Sequence, residues 1–234
     1  MLLVGVDGCR GGWVVATADE RLERIRFVVV LSLDDVLRRS STDGIVAIDV
    51  PIGLPEAGDR ACDRSARRLL GGPRASSVFP APCRAALAAS TYAEACRLNE
   101  AACGRRISRQ TFNILPKIRE VDGLLTSSFQ MHVRECHPEL VFALLSANGC
   151  GLSHGKKTAA GAAERLALLV RVLPPFDPAA IAIALRPADV ARDDVVDAAA
   201  CLAAASKILS GTALVLPVGD TELDGRGLRM EIVA

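Results

Sequence analysis

Acidic residues at the ends of apolar runs are the features of this chain best suited to chemistry. Asp7 closes Leu2-Leu3-Val4-Gly5-Val6, and a glycine-rich turn follows. Asp49 closes Ile45-Val46-Ala47-Ile48, ahead of Pro51-Ile52-Gly53-Leu54-Pro55. Glu135 ends Met131-His132-Val133-Arg134, and Asp194 and Asp197 lie about one helical turn apart in an alanine-rich segment. Mg²⁺ and Mn²⁺ take oxygen ligands in near-octahedral geometry and keep several waters. In a two-metal site the ions clamp the attacking water and the leaving oxygen of a phosphodiester. Such a site needs three or four carboxylates from separate elements, and Asp7, Asp49, Glu135 and Asp197 are spaced to supply them. Each also has a plainer use. An aspartate before glycine is commonly a turn residue, and an aspartate early in a helix commonly serves the dipole. Asp193 and Asp194 suit that second role. Asp197 lies deeper among alanines and suits it less. Glu139, beside Pro138, reads as a helix-start acid.

Basic and polar residues offer contacts to an anionic substrate. Arg10 sits in Asp7-Gly8-Cys9-Arg10-Gly11-Gly12, where the backbone can approach a phosphate closely. That turn is not a P-loop, because the lysine and the following helix are missing. Lys156 and Lys157, at a predicted helix start, can neutralise a phosphate or simply keep the helix solvated. Lys117 and Arg119, with Ser76 and Ser77, are further candidates. His137 can position a water or a carboxylate. Cys136 and His137 are adjacent strand residues pointing to opposite faces, which argues against a Cys–His catalytic pair.

The elements that position these groups begin with an apolar strand over Leu2 to Asp7. Gly11 and Gly12 turn the chain, Trp13 to Ala18 returns, and Arg24 to Leu31 forms a third strand. Ser32 caps a short helix through Arg39, and Asp43-Gly44 opens the strand that ends at Asp49. A meander of three strands, a helix and a fourth strand beside the first opens a ribonuclease H-like α/β fold. In that topology Asp7 and Asp49 are neighbours at one edge of a mixed five-stranded sheet. Residues 56 to 125 have little strand signal and two predicted helices, near 59–70 and 91–103. They read as a basic, mostly helical insertion in a single 1–234 domain. Between Asp59 and Asp122 there are 12 Arg or Lys against 6 Asp or Glu. This excess suggests a surface facing an anion, or a solvated helical face. Met131 to Glu135 reads as the fifth strand. Helices follow from Pro138, over Lys157 to Val172 and over Asp193 to Leu209, and the tail reads as a hairpin around Asp224-Gly225.

The bulk numbers set outer limits. A chain of 234 residues, half of them hydrophobic, builds a sizeable core. A net charge of +1 gives no global polyelectrolyte character, and 3% aromatic content weakens any base-stacking platform. None of the eight cysteines forms a C-x-x-C pair, so a structural zinc site is not expected. The apolar first strand begins at the initiating Met1 with no secretory signal, and no uncharged run is long enough for a membrane helix. A cytoplasmic protein with free thiols is expected.

Several segments together resemble a known family. Gly5-Val6-Asp7-Gly8-Cys9-Arg10-Gly11-Gly12-Trp13, Ala47 to Pro55, Cys62-Asp63 with Arg67, Ser77-Val78-Phe79, Lys117 to Asp122 and Glu135-Cys136-His137-Pro138-Glu139 are similar to the domain of unknown function 429 family, in the same order. Lys156-Lys157 and the Asp194–Asp197 helix fit too. The resemblance implies a ribonuclease H-like fold and a metal-dependent nuclease using Mg²⁺ or Mn²⁺ on a nucleic acid. By that analogy Asp7 is the first-strand ligand, Asp49 the fourth-strand ligand, and Asp197 or Asp194 the late-helix ligand. Glu135 ligates or positions water, while Arg10, Lys117, Arg119, His137, Lys156 and Lys157 hold substrate. Two alternatives stay open: a nucleotide phosphohydrolase or ATPase-like enzyme on the same fold, and a binding module without chemistry.

Overall fold

Side-chain alternation along the first strand sets up the two faces of the molecule. The computed structural model describes residues 1–40, 44–185 and 189–234, so Asp43 of the expected turn lies outside the described residues. Strand β1 (Leu2–Cys9) pairs antiparallel with β2 (Gly12–Asp19), which pairs antiparallel with β3 (Arg26–Val30). After helix α1 (Leu33–Arg39), capped by Ser32 as expected, β4 (Ile45–Ile48) lies parallel to β1 on its free side. Strand β5 (Val133–Glu135) lies parallel to β4, giving the order β3-β2-β1-β4-β5. The result is a mixed five-stranded α/β sheet. The fifth strand is shorter than expected because a turn of 3₁₀ helix occupies Phe129–Met131.

Between β4 and β5 the described residues are helical or irregular. They hold α2 (Ala61–Leu70), α3 (Tyr92–Cys103) and α4 (Arg109–Leu124). The last of these is absent from the sequence reading because Pro116 and Gly123 lie inside it, and both residue types disfavour a helix interior. Here Ser108 caps it, and Leu115, Ile118 and Val121 bury its inner face. The third part of the chain holds α5 (Pro138–Leu145), α6 (Ala159–Leu169), α7 (Pro178–Ala184) and α8 (Arg192–Leu209). A short antiparallel pair, β6 (Val215–Leu216) and β7 (Ile232–Val233), closes the tail.

Leu3, Val14, Ala16 and Ala47 join the core beneath α8 and α5, while Val4, Val6, Trp13, Val15 and Ile48 join the core beneath α1 and α4. A period of two therefore sends Leu3, Gly5 and Asp7 toward α8, and Val4, Val6 and Gly8 toward α4. The closest approach is at Gly5. A Cβ there would stand 2.1 Å from Leu202 N and 2.2 Å from Ala198 O, so α8 lies directly on the β1 backbone. Only glycine facing an alanine-rich helix permits this. The fully buried Ala198, Ala199, Ala200 and Ala205 supply that thin helix face. No helix among the described residues is long and apolar enough to cross a membrane.

Candidate active site

Three carboxylates gather where the β1–β4 pairing ends beneath α8; β1 itself runs on to Cys9, so Asp7 lies inside the strand and does not close it. Val6 pairs with Ile48 in the parallel register, so Asp7 and Asp49 follow side by side. The Asp49 N–H donates to the Val6 carbonyl at 3.0 Å and fixes that adjacency. Asp49 shares the facing of Ala47, toward α8, as Asp7 does. From α8, Asp197 enters the same space; it is buried, immediately before the Ala198–Leu202 stretch that rests on Gly5.

The electrostatics follow from this crowding. Burial, then repulsion by Asp49, Asp197 and Asp194, pushes the Asp7 carboxyl well above the usual carboxylate range. Burial likewise raises Asp49, opposed by His137 and Lys156. Burial raises Asp197 to about 6 despite the opposing charge of Lys156. Asp7 keeps one local donor, the Gly8 N–H at 2.7 Å from Oδ1. The Lys156 ammonium stands 2.6 Å from Asp197 Oδ2 and 3.8 Å from Asp193 Oδ2. Burial disfavours that ammonium, but Asp197, Asp7 and Asp49 outweigh it and raise its pKa.

Asp194 takes the bland role at the rim. Its Oδ2 accepts the Ala191 N–H at 2.8 Å and caps α8, although its charge is still felt by Asp7. Asp197 thus lies inside the cluster of acids and Asp194 beside it.

The expectation for Glu135 needs correction. In the β4–β5 register Glu135 pairs with Ile48, so it takes the facing opposite to Asp49. Both its oxygens are engaged by the buried Arg60 guanidinium, at 2.7 and 2.8 Å, and the Ile52 N–H donates to Oε2 at 2.6 Å. Arg60 also binds Asp63 and the Ile52 and Gly53 carbonyls. Glu135 therefore ties the Pro51–Pro55 segment and the start of α2 to β5 through Arg60 and the Ile52 N–H. Arg60 was missed in the sequence, although Asp63 three residues on is a readable partner spacing. Glu139 is held similarly by the buried Arg165, at 2.7 Å from each oxygen, and adds negative charge near Asp49 and Asp197.

The expected substrate contacts separate into two groups. Lys156 and Lys157 line a cleft of about 440 Å³ with Thr158, Arg192, Asp193 and Asp197. His137 caps the entry to α5; its Nε2 lies 3.2 Å from the Ser77 carbonyl, and its Nδ1 is buried without a hydrogen-bond partner. Lys117 crosses from α4 to the first turn, with its ammonium on the Gly12 carbonyl and 4.1 Å from the Trp13 ring centre. Its stem passes over Gly8, where a Cβ would come within 2.5 Å. Arg10 is exposed at the β1–β2 turn. Arg119 is exposed, and its guanidinium donates to the Leu87 and Ala89 carbonyls inside the 56–125 segment. Other cations of that segment are also engaged internally, Arg84 by Asp122, Asp224 and Glu56, and Arg105 by Asp59. Less of its basic surplus faces outward than the charge count suggested.

Among the described residues, no group of three or more His, Cys, Asp or Glu side chains is arranged to hold a metal ion. In chemistry, however, the donors suit a hard divalent cation. They are carboxylate oxygens raised in pKa first by burial and, for Asp7 and Asp197, also by repulsion from neighbouring acids. The buried Nδ1 of His137, which has no hydrogen-bond partner, suits a water bound beside them. The Lys156 ammonium stands among the acids, 2.6 Å from Asp197 Oδ2.

A family profile described as a protein of unknown function (DUF429) matches residues 5–222. No curated protein and no solved structure shows a significant match.

Proposed function

The chain belongs to the DUF429 family, and from that premise we propose that it is a metal-dependent nuclease built on a ribonuclease H-like sheet. The observation that carries this is the convergence of Asp7, Asp49 and Asp197 from a strand, the segment after a parallel neighbour strand, and a late helix. The three-stranded meander followed by a parallel fourth strand supports the ribonuclease H-like assignment. We take residues 1–234 as one domain in which 56–125 is the insertion, and we place the protein in the cytoplasm, in keeping with its eight free thiols.

Asp7, Asp49 and Asp197 would hold Mg²⁺ or Mn²⁺, with Asp194 at the margin and Glu135 outside the set. The bound ion would activate water and stabilise the leaving oxygen of a phosphodiester. The chain itself supplies the rest. Lys156 and Lys157 present positive charge to a phosphate at the cleft. His137 offers Nδ1 to orient a water or accept its proton. Lys117, tied across Gly8, keeps the first turn closed beside Asp7.

The test is cleavage of labelled single-stranded, duplex, hybrid and branched DNA and RNA with and without Mn²⁺. Metal-dependent cleavage by the purified protein, lost in Asp7→Asn, is expected. Mn²⁺ binding without cleavage of any substrate would overturn the nuclease assignment.

A further inference from the structure

Lys156 stands where positive charge is needed most and is anchored least. Asp197 is fixed: it is 3% exposed, on a helix seated against the β1 backbone. Lys156 lies in the turn before α6, and its side chain is 41% exposed. Its four-carbon stem reaches inward to Asp197 while the opposite side opens on the 440 Å³ cleft. Rotation about that stem carries the ammonium from the acids into the cleft without moving the backbone. The acids, by contrast, have no such freedom.

We propose that Lys156 is a built-in cation that holds Asp197 in the metal-free protein and is displaced into the cleft by a divalent ion, where it meets a phosphate of the substrate. This rests on the metal-dependent reading above and deepens it. Two observations carry it independently of that reading's chemistry: the 2.6 Å ion pair on the buried Asp197, and the cleft that the half-exposed Lys156 lines beside it. A divalent ion and an ammonium cannot share one carboxylate cluster without repulsion. Metal binding and phosphate binding thereby become coupled, since the charge released by one is the charge used by the other.

The experiment is Mn²⁺ titration of the metal-free protein by calorimetry, comparing wild type, Lys156→Gln and Lys156→Arg. Lys156→Gln is expected to bind Mn²⁺ at least about tenfold more tightly than wild type, and Lys156→Arg to stay close to wild type. Equal or weaker binding by Lys156→Gln overturns the inference and leaves the metal reading standing. Absence of Mn²⁺ binding in all three overturns both. Acetylation of wild-type lysines, read by mass spectrometry, covers the case in which Lys156→Gln does not fold. Mn²⁺ is expected to raise labelling of Lys156 several-fold relative to Lys157, and an unchanged ratio overturns the inference.

Discussion

The Asp49 backbone N–H donates to the Val6 carbonyl at 3.0 Å, so the chain leaves β4 alongside β1. This single bond brings residues 42 positions apart in sequence into contact and sets the Asp7 and Asp49 side chains on one face. The acids are thus placed by sheet register, and their chemistry is inherited from it.

Because Asp7 and Asp197 are charged where charge is disfavoured, neutralising either is expected to separate function from stability. Asp7→Asn and Asp197→Asn should each lower Mn²⁺-dependent cleavage by at least about 100-fold, more than loss of an outer-shell partner. Asn at position 7 can still accept the Gly8 N–H. A melting temperature of metal-free Asp7→Asn equal to wild type, or about 2–4 °C higher, is expected, roughly 1 kcal/mol. A fall of several degrees would contradict the repulsive cluster.

Glu135 is expected to behave in the opposite way. Glu135→Gln leaves the buried Arg60 with a weakened partner, and breaking such a pair costs about 3–5 kcal/mol. Urea denaturation should show that loss, while Mn²⁺ affinity of the folded fraction stays within about threefold of wild type. A stable Glu135→Gln that no longer binds Mn²⁺ would return this residue to the metal site.

The raised Asp197 pKa fixes the sign of a pH effect. With a folded value of about 6 against about 3.9 unfolded, the folded state holds the proton more tightly. The stabilisation linked to that proton is fully present below the unfolded value and is lost as pH rises through 6. From Asp197 it amounts to at most about 3 kcal/mol; Asp7 adds in the same direction. In EDTA the urea midpoint is therefore expected to be higher near pH 5 than near pH 7.5, by a margin that shrinks in Asp197→Asn. Mn²⁺ affinity should change oppositely, falling with acidification because the ligands must be deprotonated. A lower midpoint at pH 5 in wild type, with no effect of Asp197→Asn on the difference, would refute the assignment.

Gly5→Ala tests the seating of α8. The added methyl meets backbone, which cannot rotate away, and overpacking costs at least about 1–3 kcal/mol. Mn²⁺ affinity should fall with stability, since α8 carries Asp197. A fully stable Gly5→Ala would mean that the helix does not rest on β1 as described.

Much of this was readable before any coordinates. Apolar runs closed by Asp7 and Asp49 gave strands of nearly the observed length, and the Ser32 cap and alanine-rich Asp193–Leu209 segment gave their helices. Helix α4 was hidden because tertiary burial of Leu115, Ile118 and Val121 overrides Pro116. Glu135 was misread because closing a strand says nothing about facing; one position decides which side of the sheet a carboxylate takes. The partners of Arg60, Arg119 and Arg165 were hidden for a related reason. Charge counts do not reveal which cations are consumed by carbonyls and acids within the fold.

The thin contact of α8 on Gly5 has one more consequence. It makes the spacing between Asp7 and Asp197 a property of the protein's core, so tightening or loosening these acids means repacking the interior. The turn on the cleft side, which carries Lys156, lies outside that packed contact. On the proposed nuclease reading, substrate preference can therefore be altered in this turn without repacking the core beneath the acids.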